Sequence, residues 1–385
     1  MHYNFDEIIP RRNSDSVKWN LYDENIIPFW VADMDFRSPQ PVIDALQARI
    51  AHGVFGYPAE DVKLKETIGK HLYDSYQWKV SADEIIFLPG VVNGFNLVTH
   101  AVTEPGQKVL MQTPVYHPFL AAPQYAKAIR QEAPLILGTD QKYTIDFDAF
   151  GKSFDNGTKM FLLCNPHNPV GRVFTKEELS RMAEISLSNN AIICSDEIHC
   201  DLVFNGNKHI PIATLNPEIA SSTITLMAPS KTYNIAGLGC SFAVIQNPSL
   251  RNKVTMATQG LVPHVNLLGY AATKAAYQFG EEWLTQLLAY LEENYRIMEK
   301  FIKEELPEIK LTPLEGTYLA WMDCRSLELD ESPYDFFLKN ASIALTDGQI
   351  FGTGGSGFVR VNFGCPRSVL LEGLDRMKKA VEIIR

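Results

Sequence analysis

Short, continuously apolar segments alternate with helical patterns through the middle of the chain, and this alternation restricts the fold more than any other feature. The segments lie at 108–112, 159–164, 191–195, 223–227 and 241–245. A strand whose apolar residues run on without alternating with charged ones is buried on both faces, and helices between such strands cover a parallel sheet. The sequence therefore predicts an α/β fold with a mostly parallel sheet.

The remaining segments extend this pattern into two domains. A strand is predicted at 84–88, and helices are predicted from Pro41 onward and at 59–76, 94–103, 176–187, 247–278 and 281–305. Strands near 317–322 and 357–363 and helices near 333–339 and 368–384 indicate a smaller α+β unit. Because 385 residues are too many for one ordinary core, we expect a large domain (46–280) and a small C-terminal domain (281–385), with an N-terminal arm (1–45) packed on the small domain.

The composition is that of an ordinary globular protein and argues against a nucleic-acid partner. The chain has 35 basic and 45 acidic residues, a net charge of −10, whereas nucleic-acid binding needs a clustered basic face. No apolar run approaches the ~18 residues that span a bilayer, and the first residues lack the pattern of a signal peptide. The six cysteines are widely spaced, as in a reducing compartment. We therefore expect a cytoplasmic protein without a membrane or nucleic-acid partner.

One lysine lies in an unusual setting, within Ser230-Lys-Thr-Tyr-Asn234. The apolar segment 223–227 leads into it, and Ala236-Gly-Leu238 follows without a charge. Loss of hydration in such a setting favours the neutral amine, which is the nucleophilic form. A surface lysine after a strand is the alternative, so Lys231 by itself decides nothing and the other polar segments carry the argument.

Three further polar segments follow predicted strands, and ligands of open α/β sheets bind where the parallel strands end. Pro89-Gly-Val-Val-Asn-Gly94 opens a helix, so its backbone amides can hold a phosphate, although such a segment is more often a plain turn. Asn165-Pro-His-Asn-Pro-Val-Gly171 is a loop that two prolines make rigid. In Asp196-Glu-Ile-His199, the first carboxylate can keep a ring nitrogen protonated by charge pairing.

Arg360 is a single cation in the apolar segment Phe358-Val-Arg-Val-Asn-Phe363. A buried arginine is normally paired, and its planar fork suits a carboxylate. That carboxylate can belong to a substrate or to an internal salt bridge. The sequence leaves both open.

Two weaker patterns remain. A metal cluster would use Asp196, His199, Cys200, Asp201 and His209. These residues have no recognisable zinc spacing, so we predict no metal site. Gly352-Thr-Gly-Gly-Ser-Gly357 matches the dinucleotide fingerprint, but it precedes a strand rather than joining a strand to a helix, and we expect a loop.

Taken together, these motifs resemble those of fold-type I enzymes that depend on pyridoxal 5′-phosphate (PLP), the class I and II aminotransferase-like family. They extend from about residue 53 to residue 363, over nearly the whole chain. The segments that look more specifically like the carbon–sulfur lyase branch, the cystathionine β-lyase and cystalysin group of the MalY/PatB type, are 28–36, 90–92, 113–119, 196–199 and 315–318. The resemblance implies that the large domain binds PLP and that the enzyme is a homodimer with shared active sites.

The resemblance also implies how the cofactor ring is held. Lys231 forms a Schiff base with PLP and then removes the substrate Cα proton. Asp196 pairs with the pyridinium nitrogen and keeps the ring electron-withdrawing. Asn168 and His199 lie near the phenolic oxygen, and Tyr116 stacks on the ring.

The phosphate and substrate contacts follow from the same resemblance. The phosphate-binding residues are Gly90, Val91, Val92, Ser230 and, across the subunit boundary, Tyr57. The substrate-binding residues are Arg360, which holds the α-carboxylate, with Asn168, Ala32 and Asp33. This chain departs from the pattern at Gly239, where many relatives carry an arginine that pairs with the phosphate. The phosphate then depends on amides, hydroxyls and Tyr57.

The implied activity is a carbon–sulfur β-lyase that converts L-cystathionine, L-cysteine or related S-conjugates into pyruvate, ammonia and a thiol or hydrogen sulfide. The candidate catalytic residues are Lys231, Tyr116 and Tyr57, and either Tyr116 or the freed Lys231 can protonate the departing sulfur. An aminotransferase, which needs a 2-oxo acid acceptor, is the alternative; His199 and Ala32-Asp33-Met34 favour the lyase by resemblance. A regulatory PLP-fold protein without turnover is a third possibility, but residues 1–40 are too mixed in charge for a DNA-binding extension.

Overall fold

The structure is a computed structural model that describes residues 2–384. The strands are β1 (Ile27–Pro28), β2 (Ile85–Leu88), β3 (Lys108–Met111), β4 (Ile129–Glu132), β5 (Ile136–Leu137), β6 (Tyr143–Thr144), β7 (Thr158–Cys164), β8 (Ile192–Asp196), β9 (Thr223–Met227), β10 (Ser241–Val244), β11 (Lys310–Leu311), β12 (Leu319–Asp323), β13 (Ile343–Ala344), β14 (Thr346–Asp347) and β15 (Phe358–Asn362). The helices are α1 (Val17–Asn20), α2 (Gln40–Ala51), α3 (Val62–Tyr76), α4 (Val91–Val102), α5 (His117–Tyr125), α6 (Phe147–Lys152), α7 (Lys176–Ser188), α8 (Pro217–Ser221), α9 (Pro229–Thr232), α10 (Pro248–Thr258), α11 (Leu267–Phe279), α12 (Glu281–Glu305), α13 (Pro333–Ala341) and α14 (Arg367–Glu382).

A seven-stranded sheet in the order β2-β10-β9-β8-β7-β3-β4 forms the centre of the larger part of the molecule. The strands from β9 to β4 are parallel, and β10 is antiparallel to both of its neighbours. Every residue of β9 is buried, as continuous apolar strands require when helices cover both faces. The predicted α/β fold with a mostly parallel sheet is confirmed.

A smaller, antiparallel sheet follows in the order β11-β12-β15-β14, packed with α12, α13 and α14. The N-terminal segment joins this part of the chain because β1 pairs in parallel with β13. Phe29 of the arm also packs into the same apolar core as Phe337 and Leu374. The smaller α+β unit is therefore confirmed as the C-terminal partner of the large sheet, whereas domain boundaries at 45 and 280 stay a prediction.

The single helix predicted over 247–278 is wrong, because α10 and α11 are separate. Gly260 takes a left-handed backbone with φ +73°, and Pro263 has no N–H to continue a helix. Asn266 then caps the second helix, since its side-chain oxygen accepts from the Gly269 amide at 2.9 Å. Apolar spacing alone did not reveal these breaking and capping residues.

The carboxyl ends of β3, β7, β8 and β9 meet at one edge of the sheet because these strands are parallel. The strand β2 ends at the same edge, since β2 and β9 are both antiparallel to β10. All the polar segments named above that follow strands of the large sheet therefore reach one edge. Within residues 2–384, no helix is long and apolar enough to cross a membrane.

Candidate active site

Lys231 lies in the single helical turn α9, directly after β9. Its Nζ donates a hydrogen bond of 2.6 Å to the backbone carbonyl oxygen of Ala32. Burial lowers the pKa of Lys231 to about 8; Asp33 and Asp196 counteract the shift, and the charge of Arg360 adds to it. With this pKa, about one-tenth of the amine is neutral at pH 7, far more than for an ordinary lysine. The neutral amine is the form that bonds to carbonyl carbon and accepts protons.

A buried carboxylate fixes the turn that carries this lysine. Asp201 accepts hydrogen bonds from Thr232 Oγ1 at 2.8 Å and Tyr76 Oη at 2.8 Å, and its Oδ1 lies 3.4 Å from His71 Nε2. Burial by itself would raise the pKa of Asp201, but these donors lower it to about 2. The carboxylate is therefore charged at every pH of interest, and it anchors the residue next to Lys231.

Asp196 is the last residue of β8 and is buried. Its Oδ1 accepts a hydrogen bond of 3.1 Å from the Ile198 amide. Burial raises the pKa of Asp196 to about 7; the neighbouring Glu197 adds to the shift, while Ile198 and Lys231 oppose it. Within residues 2–384 no cation forms an ion pair with this carboxylate, so it suits a ligand that brings its own cationic N–H.

Arg360 lies in the middle of β15 and only 4% of it is exposed. Its Nη1 donates to Asn168 Oδ1 at 3.1 Å, and its Nη2 donates to the Trp30 carbonyl at 2.8 Å and to Thr346 Oγ1 at 3.2 Å. The Nε has no partner. Burial lowers the pKa of Arg360 to about 10. No carboxylate of the described chain pairs with the guanidinium, so the alternative of an internal salt bridge is wrong.

His199 and Tyr116 lie on the turns after β8 and β3. His199 is buried and its Nδ1 has no hydrogen-bond partner. Burial, together with the charge of Lys231, holds its pKa well below the ordinary value, so the ring is neutral. The Tyr116 amide donates to the Asn168 carbonyl at 3.0 Å, and burial raises the pKa of the Tyr116 hydroxyl. These two side chains are therefore neutral hydrogen-bonding groups.

The segment predicted to bind phosphate opens α4, and Gly90 is the residue before the helix. Val91 is buried and Val92 is partly exposed at the first turn. Ser230 lies in α9 beyond the end of β9. Free amides at the start of a 12-residue helix attract anions.

The backbone conformation and the close packing at Gly239 both favour glycine. Its backbone is left-handed, with φ +56°, and a Cβ built on it would lie 3.1 Å from the carbonyl oxygen of Pro89. An arginine at this position would meet both strain and crowding. Glycine is therefore the residue that fits this backbone with least strain.

The arm forms a third wall of the site. Five consecutive backbone carbonyls, from Trp30 to Met34, accept hydrogen bonds from side chains. Their donors include Arg360 for Trp30, Asn362 for Val31 and Asp33, Lys231 and Tyr318 for Ala32, and Asn234 for Met34. The carboxylate of Asp33 pairs with Arg11 at 2.8 Å and lies 3.7 Å from Lys18. The arm thus touches both predicted cationic residues through its backbone.

The structure brings most of the predicted residues together, but not Tyr57. Its side chain is fully exposed and contacts none of the other predicted residues within the described chain. Three site residues were not predicted: Tyr318, Asn234 and Asn362. A signal for Asn362 was present, because residues two apart on a strand share a face and Asn362 follows Arg360 at that spacing.

Side chains that were considered above as metal ligands bind other residues of the chain instead. His209 Nε2 lies 2.7 Å from Glu197 Oε2, and Asp201 is bound as described above. Among residues 2–384, no three His, Cys, Asp or Glu side chains are grouped so that they could hold a metal ion.

Comparison with known proteins decides the family. The family "Aminotransferase class I and II" matches residues 24–377, which is most of the chain. The chain belongs to the class I and II aminotransferase family. Within this family it is 39% identical to cystathionine β-lyase PatB of Bacillus subtilis over 98% of this chain and all of PatB.

Solved structures of the family agree with the fold. Cystalysin from Treponema denticola, which contains a PLP cofactor, superposes with a TM-score of 0.95 at 37% identity and full coverage of both chains. The PLP-bound C–S lyase from Staphylococcus hominis superposes with a TM-score of 0.93 at 35% identity, covering 98% of this chain and 99% of that one. The fold-type I architecture of this chain is thereby established.

Proposed function

We propose that this chain is a PLP-dependent carbon–sulfur β-lyase that acts on L-cystathionine, L-cysteine or related S-conjugates. The observation that carries the proposal is Arg360, a buried guanidinium without an anionic partner close to the amine of Lys231. An unpaired buried charge is costly, so a ligand anion is expected to complete the site. The α-carboxylate of an amino acid fits this fork bidentately.

The donor set fits PLP. Asp196 offers a buried carboxylate without a cation, His199 has an unpartnered ring nitrogen, and Arg360 has an unpartnered Nε. Lys231 supplies the amine that bonds to an aldehyde, and the start of α4 supplies amides for a phosphate. When bound, PLP supplies an electron-withdrawing ring that acidifies the Cα proton of an amino acid.

The residues of this chain bind the substrate and transfer its protons. Arg360 holds the substrate carboxylate and so orients the Cα–H bond. The amine of Lys231, with its pKa lowered to about 8, accepts the Cα proton at Nζ. Loss of the β-thiolate follows, and Tyr116 Oη or the Lys231 ammonium can supply its proton. Water then hydrolyses the three-carbon unit that remains, so substrate and water together give a thiol, pyruvate and ammonia.

The relatives favour the lyase over the aminotransferase. PatB is a cystathionine β-lyase and the Staphylococcus hominis protein is a C–S lyase. The two reactions are separated by supplying purified protein and PLP with L-cystathionine and no 2-oxo acid. A lyase releases pyruvate and ammonia in equal amounts. Turnover only after a 2-oxo acid is added would instead identify an aminotransferase, and PLP binding without either reaction would favour a regulatory protein.

We further propose that the protein is a cytoplasmic homodimer and that Tyr57 completes the active site of the other subunit. Tyr57 is fully exposed, and its neighbours Val54 and Phe55 are 63% and 59% exposed. An exposed apolar segment of this kind is typical of a protein–protein contact. All six cysteines are buried and free, which suits a reducing compartment.

A further inference from the structure

The carbonyl oxygen of Ala32 accepts two hydrogen bonds. One comes from Lys231 Nζ at 2.6 Å and the other from Tyr318 Oη at 2.8 Å. We infer that Tyr318 is a positioning residue for the amine of Lys231 and acts through the carbonyl of Ala32. The inference rests on the proposed function only in assuming that this amine moves the substrate proton.

The backbone around Tyr318 holds its hydroxyl in place. Thr317 is buried and has φ +72°, a costly conformation for a β-branched residue. Its amide donates to the Leu202 carbonyl at 2.8 Å, and its Oγ1 accepts from the Leu319 amide at 3.1 Å. The Tyr318 carbonyl accepts from Phe363 at 3.1 Å. Strain that the surroundings maintain next to a reactive group is a common feature of functional sites.

The carbonyl of Ala32 is fixed from both sides along the arm. Asn362 Nδ2 donates to the carbonyls of Val31 at 2.5 Å and Asp33 at 2.6 Å. Neither neighbouring peptide can therefore turn freely, and the oxygen between them stays in reach of Lys231. The free amine thus has a preformed acceptor that does not depend on the cofactor.

The Tyr318 hydroxyl also affects the proton affinity of the amine. It donates to the same oxygen as Lys231 and therefore makes that oxygen a weaker acceptor for the charged ammonium. Without it, the pKa of Lys231 should rise. The titratable and charged groups that act on this amine are Asp33 of the arm, Asp196 at the end of β8, His199 on the following turn and Arg360 of β15. The variant below leaves all of them unchanged.

The test compares Tyr318→Phe with a matched control, Tyr295→Phe. Tyr295 is also buried, and its Oη also donates to a backbone carbonyl, that of Thr312 at 2.9 Å. Both variants lose one hydrogen bond from a buried tyrosine to the backbone. Only Tyr318 shares its acceptor with the lysine, so a purely structural effect should be the same in both.

The first readout uses the cofactor-free, full-length protein. Limiting acetic anhydride is applied across a pH series, and peptide mass spectrometry gives the acetylated fraction of Lys231. We expect Tyr318→Phe to move the midpoint of the Lys231 acetylation profile to higher pH and to reduce acetylation near pH 7 about fivefold. A fivefold change corresponds to the free energy of one neutral hydrogen bond. Tyr295→Phe should follow the wild type. Superimposed profiles for the two variants would overturn the inference, whether or not the protein is a lyase.

The second readout uses the PLP-loaded enzyme. Because a base with a raised pKa is protonated over a wider range, Tyr318→Phe should lower kcat about fivefold near pH 7 and less at pH 9, with KM little changed. Tyr295→Phe should leave kcat and KM at wild-type values. An equal loss at both pH values would contradict an effect on the lysine amine.

Discussion

Arg360 Nη1 and Asn168 Oδ1 lie 3.1 Å apart and join the small antiparallel sheet to the loop that follows β7 of the large sheet. Both residues are buried, and the same guanidinium also holds the Trp30 carbonyl of the arm. Large sheet, small sheet and arm therefore meet at one cation. The guanidinium therefore presents its unpartnered Nε where these three parts of the chain meet.

Replacement of Arg360 by lysine should weaken binding of the substrate. Lysine keeps the charge but loses the planar fork, so the bidentate contact with the α-carboxylate is lost. We expect kcat/KM to fall roughly 100-fold, mainly through KM, since charge-assisted hydrogen bonds contribute about 2–3 kcal/mol. Steady-state kinetics on L-cystathionine measures this. Arg296→Lys, at a position that is 68% exposed, is the control, and equal effects of the two changes would contradict the assignment.

Replacement of Asp196 by asparagine should change how stability depends on pH. In the folded protein the pKa of Asp196 is raised from 3.8 to about 7, so the carboxyl favours its neutral form. The wild type without cofactor should therefore lose stability as pH rises through this window, by at most about 4 kcal/mol. Asparagine carries no such charge. Urea unfolding should show cofactor-free Asp196→Asn to be the more stable protein at pH 8 but not at pH 4.

The same substitution should have the opposite effect once PLP is bound. Asparagine cannot pair with a cationic ring nitrogen, so PLP-loaded Asp196→Asn should lose both turnover and the stabilisation that the cofactor provides. If PLP stabilised the variant and the wild type equally, the carboxylate would have no role toward the ring.

The sequence allowed the fold and most of the site to be predicted because both depend on local patterns. Continuous apolar strands such as 223–227 predict a parallel sheet, and parallel strands bring the residues after them to one edge. What could not be predicted depends on long-range packing. The contacts of Ala32 with Lys231 and Tyr318 join residues 199 and 286 positions apart. The break between α10 and α11 was missed because apolar spacing outweighed Gly260 and Pro263.

Replacement of Gly239 by alanine should destabilise the protein. The left-handed backbone and the Pro89 carbonyl at 3.1 Å both disfavour a Cβ, at a cost of about 1–2 kcal/mol. Gly237→Ala is the matched control, because its backbone is not left-handed and a Cβ there meets nothing within 4 Å. Thermal unfolding of both variants measures the difference. Equal midpoints would show that the backbone at 239 tolerates a side chain.

The shared active site can be tested by mixing two inactive variants. If Tyr57 serves the other subunit, a dimer of one Tyr57→Ala chain and one Lys231→Ala chain contains one intact site. Random reassociation after mild unfolding should then recover about one quarter of wild-type activity, since half of the dimers are mixed and each has one working site of two. Activity that never exceeds the average of the separate variants would place Tyr57 in its own subunit's site or outside both.

The most direct test of the account is chemical rescue of Lys231→Ala. In the proposed reaction the amine of Lys231 accepts the Cα proton, so the PLP-loaded variant should release almost no pyruvate from L-cystathionine. Added methylamine can enter the space and accept the proton, so pyruvate release should return in proportion to the concentration of the neutral amine. Wild-type pyruvate release by Lys231→Ala without any added amine would contradict the central role of this lysine.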